Sequence, residues 1–488
     1  MDETAKAVDA PQQRKSSPLD RIFRMTERNA TLRGEILGGV TTFMTMAYII
    51  FVNAAILGAA GMPAGAVMVA TCLAAAVGTA LMGLFANLPF ALAPGMGLNA
   101  FVAFTICGAM GFSWQVALGM VFWSGVIFLV LSLVRFRETI INAIPRNLKY
   151  GAAAGIGLFI AFIGLQHAGF VVHSSATIVA LGNLTAKHSL VAIFGLALTG
   201  VLFALRVRGA VLFGMLATGA LALATGLVTW GGGQKLGFTG TFLKLDIMGA
   251  LSLSAVPAIL TLLFFDTFDT VGTLVGVAEE AGLVDEEGRI PSVGRALASD
   301  AAGTVAGSLL GTSTVTSYIE SAAGVAAGAR TGLSNIVTSL LFLLSLTALP
   351  AVAILGQGCR VDLATALGGT ASVQVTHASG FVETISAVTL YPITAPALIV
   401  VGFLMTAPLK RISWDDVSEG LPAFLTVILM PLTFSISTGL AAGFVSFSLL
   451  KLVRGEGRKV HPLVHVIAGT IVAGYILLKV IAFLQAAA

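Results

Sequence analysis

Ile259–Ala278 reads ILTLLFFDTFDTVGTLVGVA, an apolar run with Asp266 and Asp269 in its middle. Its length suits a membrane span, and its acids do not suit lipid. A carboxylate at bilayer depth costs roughly 2.5–3.5 kcal/mol on insertion scales, so such residues face a protein interior or a water-filled cavity. Helical spacing sets the two acids on nearby faces, with Thr270 and Thr273 continuing the stripe. The stretch predicts that something polar is met inside the membrane: a substrate, an ion, a proton or another side chain.

The bulk composition fits that setting. Over 488 residues, 57% are hydrophobic and 10% charged, which excludes an ordinary soluble surface and predicts a polytopic membrane protein. Fifty-six glycines against 15 prolines suit close helix packing and broken helices in lipid. Cys72, Cys107 and Cys359 have no metal-like spacing and predict no disulfide framework. His167, His173, His188, His377, His461 and His465 lack partners at metal-ligand spacing, so neither a metal nor a cofactor is expected. The glycine-rich stretches contain no P-loop or dinucleotide fingerprint. A net charge of +4 without an aromatic-interleaved basic patch argues against nucleic acid as a partner.

Runs able to span, or nearly so, fall near residues 36–57, 65–86, 88–109, 114–134, 150–169, 188–205 and 209–229. A second set falls near 254–278, 295–311, 312–329, 332–356, 388–408, 421–434 and 436–453, followed by an apolar tail at 462–485. Lys and Arg test the count, because basic loops stay in the cytoplasm. With residues 1–33 as a cytoplasmic tail, 22 of the 27 basic residues fall on the inner side and four on the outer. That sidedness predicts a plasma (inner) membrane protein with its N-terminus inside. A short interfacial helix is expected near Leu19–Arg28, and the tail at 462–488 is left as a fifteenth span or a helix lying on the bundle.

Two sets of seven would have opposite orientations, and the sequence carries traces of such a duplication. TTFMT at Thr41 and DTFDT at Asp266 are 225 residues apart, as are VGTALMG at Val77 and AGTVAGS at Ala302. Inverted repeats place substrate and ion sites at their interface near the midplane, commonly on broken helices. The third and tenth spans are the candidates. NLPFALAPGMG (Asn87–Gly97) opposes a continuous helix with two prolines and two glycines, and GTSTVTSYIESAAG (Gly311–Gly324) opens with a strand-like Thr/Ser/Val run. Each is predicted to be a short extended segment feeding a half helix whose N-terminus points at one central spot.

Asp269 is the leading site candidate, because Met44 at the duplicated position indicates that the scaffold itself does not require an acid there. Glu320, where the strand-like run gives way to helix, can complement a helix N-terminus and also exchange a proton. Asp266 is a weaker candidate for proton coupling. Asn99 suits a cap or a ligand contact, and Asp300 and Glu35, near span ends, read as structural.

FALAPGMGLNAFVAF from Phe90, FFDTFDTVGTLVGVAEEAGL from Phe264 and TSTVTSYIESAAGVAAGARTGL from Thr312 resemble the signatures of the azaguanine-hypoxanthine branch of nucleobase:cation symporters. The resemblance runs from Arg33 to about Arg454. It implies a seven-plus-seven inverted-repeat transporter fold, all-α apart from the two broken spans. It also implies a core domain (34–135 and 250–356), a gate domain (146–230 and 388–453) and proton-coupled uptake of hypoxanthine, guanine or adenine. Carried over by position, the eighth-span acid that holds the base is Asp269 and the tenth-span acid is Glu320. Gly97 and Asn99 match the third-span glycine and asparagine. Tyr318 matches an aromatic lining position of related uracil carriers, which have a histidine where this chain has Thr273. A homodimer through the gate domain is typical of the wider fold.

The chemistry fits a flat, neutral purine. Two carboxylates and nearby amides can match its edge, while Tyr318 or Phe268 covers a face. The alternatives are a uracil- or xanthine-type carrier, an anion carrier on the same architecture, which Asp269 and Glu320 would repel, and an intramembrane aspartyl protease. The last resembles its class through YD and GxGD motifs, and neither occurs here in a span. A transporter, not an enzyme, is the expectation.

Overall fold

Small residues set the spacing of the helices in this chain, and short polar side chains hold the places where helices stop. The computed structural model describes residues 18–133, 145–174, 177–230, 237–280, 283, 292–362, 373–376, 382–385 and 387–473. The tail positions 1–17 and 474–488, and the basic connection at 134–144, lie outside the described residues. The chain opens with α1 (Pro18–Phe23), α2 (Leu32–Met46) and α3 (Ile49–Gly58). Helix α1 is shorter than the interfacial helix predicted over Leu19–Arg28, because Arg24 turns to a positive φ of 52°. The segment after it is docked on protein: Phe23 and Met25 pack against Leu333, and Arg28 Nη1 donates to the carbonyls of Asn87 (2.5 Å) and Arg330 (3.2 Å).

Helix α4 (Ala64–Leu81) continues as a π-helix over Met82–Ala86 and stops at Asn87, whose backbone is left-handed. Asn87 also uses its side chain, donating to the Phe23 carbonyl and accepting from Gly332 N–H, both at 2.8 Å. Strand β1 (Leu92–Pro94) follows, then α5 (Met96–Ala100), its π-helical continuation Phe101–Ala109, and α6 (Trp114–Leu133). Next come α7 (Arg146–His167), the hairpin β2 (Val171–Ser174) and β3 (Ile178–Leu181), α8 (Lys187–Ala204) and α9 (Ala210–Ala224). The second part runs through α10 (Val256–Glu280), α11 (Val293–Leu310), β4 (Val315–Ser317), α12 (Ser321–Ala326) and α13 (Gly332–Val352). It closes with β5 (Cys359–Asp362), β6 (Val373–Thr376), β7 (Val382–Ile385), β8 (Ala387–Leu390), α14 (Ala395–Leu404), α15 (Val417–Leu432), α16 (Ile436–Val453) and α17 (Pro462–Ala473).

This is a mostly helical, multi-pass membrane protein. Among the described residues six helices are long and apolar enough to cross a membrane, and six shorter apolar helices accompany them. Two expectations need correction. The chain is not all-α beyond its broken spans, since β2–β3, β5–β8 and β6–β7 form three further two-stranded antiparallel sheets. The twelfth span does not begin at 388: Ala387–Leu390, rich in β-branched residues, pairs with Cys359–Asp362, and the helix starts only at Ala395.

Packing sorts the helices into two groups. In one, α4 lies against α11 and α13, α6 against α10 and α11, and α2 against α12 and α13. In the other, α7 lies against α14 and α15, α15 against α16, and α8 against α9 and α14. Gly34 and Gly38 of α2 bring its backbone onto Gly328 and Ala329, where an added Cβ would approach within 2.9 and 2.6 Å. Glu35, buried on the same helix, accepts from the N–H groups of Arg330 (2.8 Å), Thr331 (3.0 Å) and Ser334 (2.9 Å), so it serves as the N-terminal cap of α13.

Strands β1 and β4 pair antiparallel, Leu92 with Ser317, Ala93 with Thr316 and Pro94 with Val315. The residues around them leave free backbone groups that lipid cannot satisfy. Thr79 Oγ1 both donates to the Leu92 carbonyl and accepts from Leu92 N–H, each at 2.9 Å. Thr304 Oγ1 does the same for Val315, at 2.8 and 3.2 Å. Asn335 Nδ2 donates to the carbonyls of Leu88 and Phe90, and Ser321 Oγ accepts from Ala91 N–H. Thr304→Val keeps the shape but leaves the Val315 N–H and C=O unpaired, at roughly 1–3 kcal/mol for each buried group. The purified protein is expected to melt several degrees lower than wild type, and Thr304→Ser to recover most of the loss.

Candidate functional site

The crossing of β1 and β4 brings four parts of the chain close together. Asp269 comes from α10, and a Cβ added at Gly95 would stand 3.6 Å from its Oδ2 and 2.6 Å from Thr316 Cγ2. That glycine lets the turn after β1 pass beside the carboxylate, with the Thr316 side chain of β4 against the same glycine. Glu320 sits at the N-cap of α12. Its Oε1 accepts from Tyr48 Oη at 2.5 Å, and its backbone carbonyl accepts from Thr45 Oγ1 at 3.4 Å. Tyr48 occupies the joint between α2 and α3 and is buried.

Asp269 and Glu320 are surrounded by protein and lie within electrostatic reach of each other. Each nevertheless keeps part of its side chain open. Between the buried strand β4 and Glu320, Ile319 is 54% exposed. Among the described residues, no Lys, Arg or His forms an ion pair with Asp269 or Glu320. Two buried carboxylates without a cation can accept hydrogen bonds from a neutral ligand or take up protons.

The other candidates line or support the walls. Tyr318 is 5% exposed, and its hydroxyl donates to the Pro94 carbonyl while its N–H donates to Ala91 O, so it fastens β4 to β1. Asn99 is fully buried, with Oδ1 accepting from Ser313 Oγ. Gly97 meets the second helix group: a Cβ there would come within 2.6 Å of Ile156 Cγ2 on α7. Thr273 is buried one turn beyond Asp269. Asp266 is fully buried, with Thr304 Oγ1 of α11 standing 3.4 Å from its Oδ2. Phe268 lies on α10, but its side chain falls outside the described residues.

Residues 33–357 match the Permease family. The chain belongs to the permease family. This permease resembles Guanine/hypoxanthine permease PbuG of Bacillus subtilis (strain 168), at 44% identity over 472 residues, 94% of this chain and 99% of that one. It also resembles Adenine permease AdeQ of Escherichia coli (strain K12), at 41% identity over 455 residues, 93% of this chain and 95% of that one. These relatives put the permease in a purine permease branch of its family. Its architecture is that of the transmembrane domain of a cyanobacterium bicarbonate transporter, BicA, with TM-score 0.60 at 14% identity over 84% of this chain and 97% of that one. Murine Solute Carrier 26 family member A9, an anion transporter, shares it with TM-score 0.59 at 12% identity over 93% and 74%.

Sequence reasoning missed Tyr48, Thr316 and Gly95 in this permease. A signal for Tyr48 was present, since it stands 225 residues before Thr273, the offset that relates TTFMT to DTFDT. Gly95 and Thr316 could be found only once the strands were paired. Gly97→Ala tests the contact between the helix groups. It is expected to lower the melting temperature of the permease, and Ile156→Ala in the same chain to recover much of the loss, a coupling that the separate substitutions cannot give.

Proposed function

We propose that this permease imports purine nucleobases together with protons, holding the base in the hollow between Asp269 and Glu320. The observation that carries the reading is that two carboxylates with no ion-pair partner among the described residues keep an open face inside a membrane protein. A purine presents N–H donors and ring-nitrogen acceptors along one edge. Asp269 and Glu320 accept from the donors, the backbone at Gly95 and the start of α5 supplies N–H groups, and Ile319 packs against the flat ring. Gly97, Asn99 and Thr273 shape the walls, Tyr318 stands beside the ring, and Asp266 joins the proton-accepting set. The names of PbuG and AdeQ support a purine base rather than another planar molecule. The solved neighbours are anion transporters, but acids at the hollow oppose an anion here.

Alternating access follows from the two helix groups. The first, residues 34–135 and 250–356, acts as a core that carries the site past a gate formed by 146–230 and 388–453. The meeting of Gly97 and Ile156 is one place where the two slide or separate. A seven-plus-seven inverted repeat underlies this division, and the matched clamps support it: Thr79 holds the first residue of β1, and Thr304, 225 positions later, holds the first residue of β4. The N-terminus faces the cytoplasm and the membrane is the plasma membrane, in keeping with the bias of Lys and Arg.

Cells or proteoliposomes carrying the protein are expected to accumulate labelled hypoxanthine, guanine or adenine, with uracil failing to compete. Loss of a hydrogen bond to a charged group costs roughly 1.5–3 kcal/mol, so Asp269→Asn and Glu320→Gln should each weaken purine binding by about 10- to 100-fold. Both should also flatten the dependence of uptake on external pH. Unchanged affinity and unchanged pH dependence in both variants would remove these residues from the mechanism.

A further inference from the structure

One face of the first span runs along α12 and ends on an acid. A Cβ added at Gly38 of α2 would come within 2.9 Å of Gly324 O, and one added at Gly324 within 2.0 Å of Thr42 Oγ1. Further along, Thr45 Oγ1 stands 3.4 Å from Glu320 O, and Tyr48 Oη donates to Glu320 Oε1 at 2.5 Å. Residues 38, 42, 45 and 48 follow helical spacing and share a face. Tyr48 lies beyond the end of α2 but keeps a helical backbone, with φ −58° and ψ −24°, and so stays on that face. Close approach of the two backbones gives the phenol a fixed position against the carboxylate. Tyr48 is 1% exposed, so bulk water does not compete for its hydroxyl.

A phenol serves this acid in a way that a cation cannot. Its O–H donates to the ionised carboxylate, at a length within the range of about 2.5–2.7 Å for such charge-assisted bonds. When the carboxyl carries a proton, its own O–H can donate to the phenol oxygen, which has lone pairs to accept it. A Lys or Arg would favour the ionised form alone. Glu320 therefore has a partner in either form and keeps its place as its charge changes.

The phenol also follows the acid in the sequence. At the 225-residue offset, Asp269 lies over Met44 and Glu320 over Gly95. Where the helix bears the acid, the broken span passes it with glycine; where the broken span bears the acid, the helix has Met44, with Tyr48 one turn on. The counterpart of Tyr48 is the shorter Thr273, so this helix position does not of itself call for a phenol.

We infer that Tyr48 is a positioning residue for substrate binding, holding the Glu320 carboxylate in one place, ionised or protonated, so that it meets the base as a fixed acceptor. The inference rests on the proposed binding of a purine at Glu320 and adds the residue that orients that acid.

Full-length protein in liposomes carries the test, as Tyr48→Phe, Glu320→Gln and the double variant, each melted and assayed for exchange of the purine that wild type exchanges fastest. Tyr48→Phe is expected to melt near the wild-type temperature, raise KM about fivefold or more and keep Vmax within about threefold. Glu320→Gln leaves only a neutral hydrogen bond to lose, so in that background Tyr48→Phe should raise KM by no more than about a third as much. A wild-type KM in Tyr48→Phe would overturn the inference, as would an equal rise in both backgrounds, which marks a packing role. If Tyr48→Phe does not fold, Glu320→Asp, which keeps the charge but withdraws it from the phenol by one methylene, is expected to raise KM in the same way, and a wild-type KM there overturns the inference. A wild-type KM in Glu320→Gln would instead remove the binding reading beneath it.

Discussion

Unpaired backbone amides and carbonyls are not tolerated in hydrocarbon, and this constraint governs the centre of the protein. A site made of broken spans exposes such groups, so the chain has to provide a partner for each one from neighbouring helices. Thr79 and Thr304 serve one residue apiece through both its N–H and its C=O, Asn335 takes two carbonyls, Ser321 takes an amide and Tyr318 takes Pro94 O. A threonine hydroxyl can donate and accept at once, which explains why so compact a residue recurs where the helices stop. Once these bonds are made, the crossing strands are fixed, and among the described residues neither Asp269 nor Glu320 forms an ion pair.

The division of labour among the acids follows from their surroundings. Glu35 is consumed by three backbone N–H groups and has no surface left for a ligand. Asp266 and Asp300 are fully buried against hydroxyls, whereas Asp269 and Glu320 remain partly open. Residues of the same chemical type therefore cap a helix, brace a strand or stay partly open according to which hydrogen-bond donors reach them first.

Much of this was legible in the sequence because it is written in composition and local pattern. Apolar runs marked most helices to within a few residues, and the prolines and glycines of Asn87–Gly97 fall where the structure has strand β1 and the start of α5. Asp269 and Glu320 stood out because a carboxylate in an apolar span needs an explanation. What escaped depends on tertiary pairing. Tyr48 looks like an ordinary interfacial aromatic until Glu320 is set beside it, and Gly95 looks like a turn residue until Thr316 and Asp269 close around it. Ala387–Leu390 was absorbed into a span because its hydropathy is that of a helix, while its partner Cys359–Asp362 lies beyond the reach of a local window. The Ser313 partner of Asn99 and the approach of Gly97 to Ile156 likewise emerge only from the pairing of distant segments.

The cap that Glu35 places on α13 also has a consequence for biogenesis. Its partners Arg330, Thr331 and Ser334 are made some three hundred residues later, after most of the other spans have left the ribosome. Until then Glu35 lacks the three N–H donors that surround it in the finished fold. Assembly is therefore a late, long-range closure rather than a stepwise stacking of completed units, which slows folding and ties the fate of the first helices to the arrival of the eleventh span.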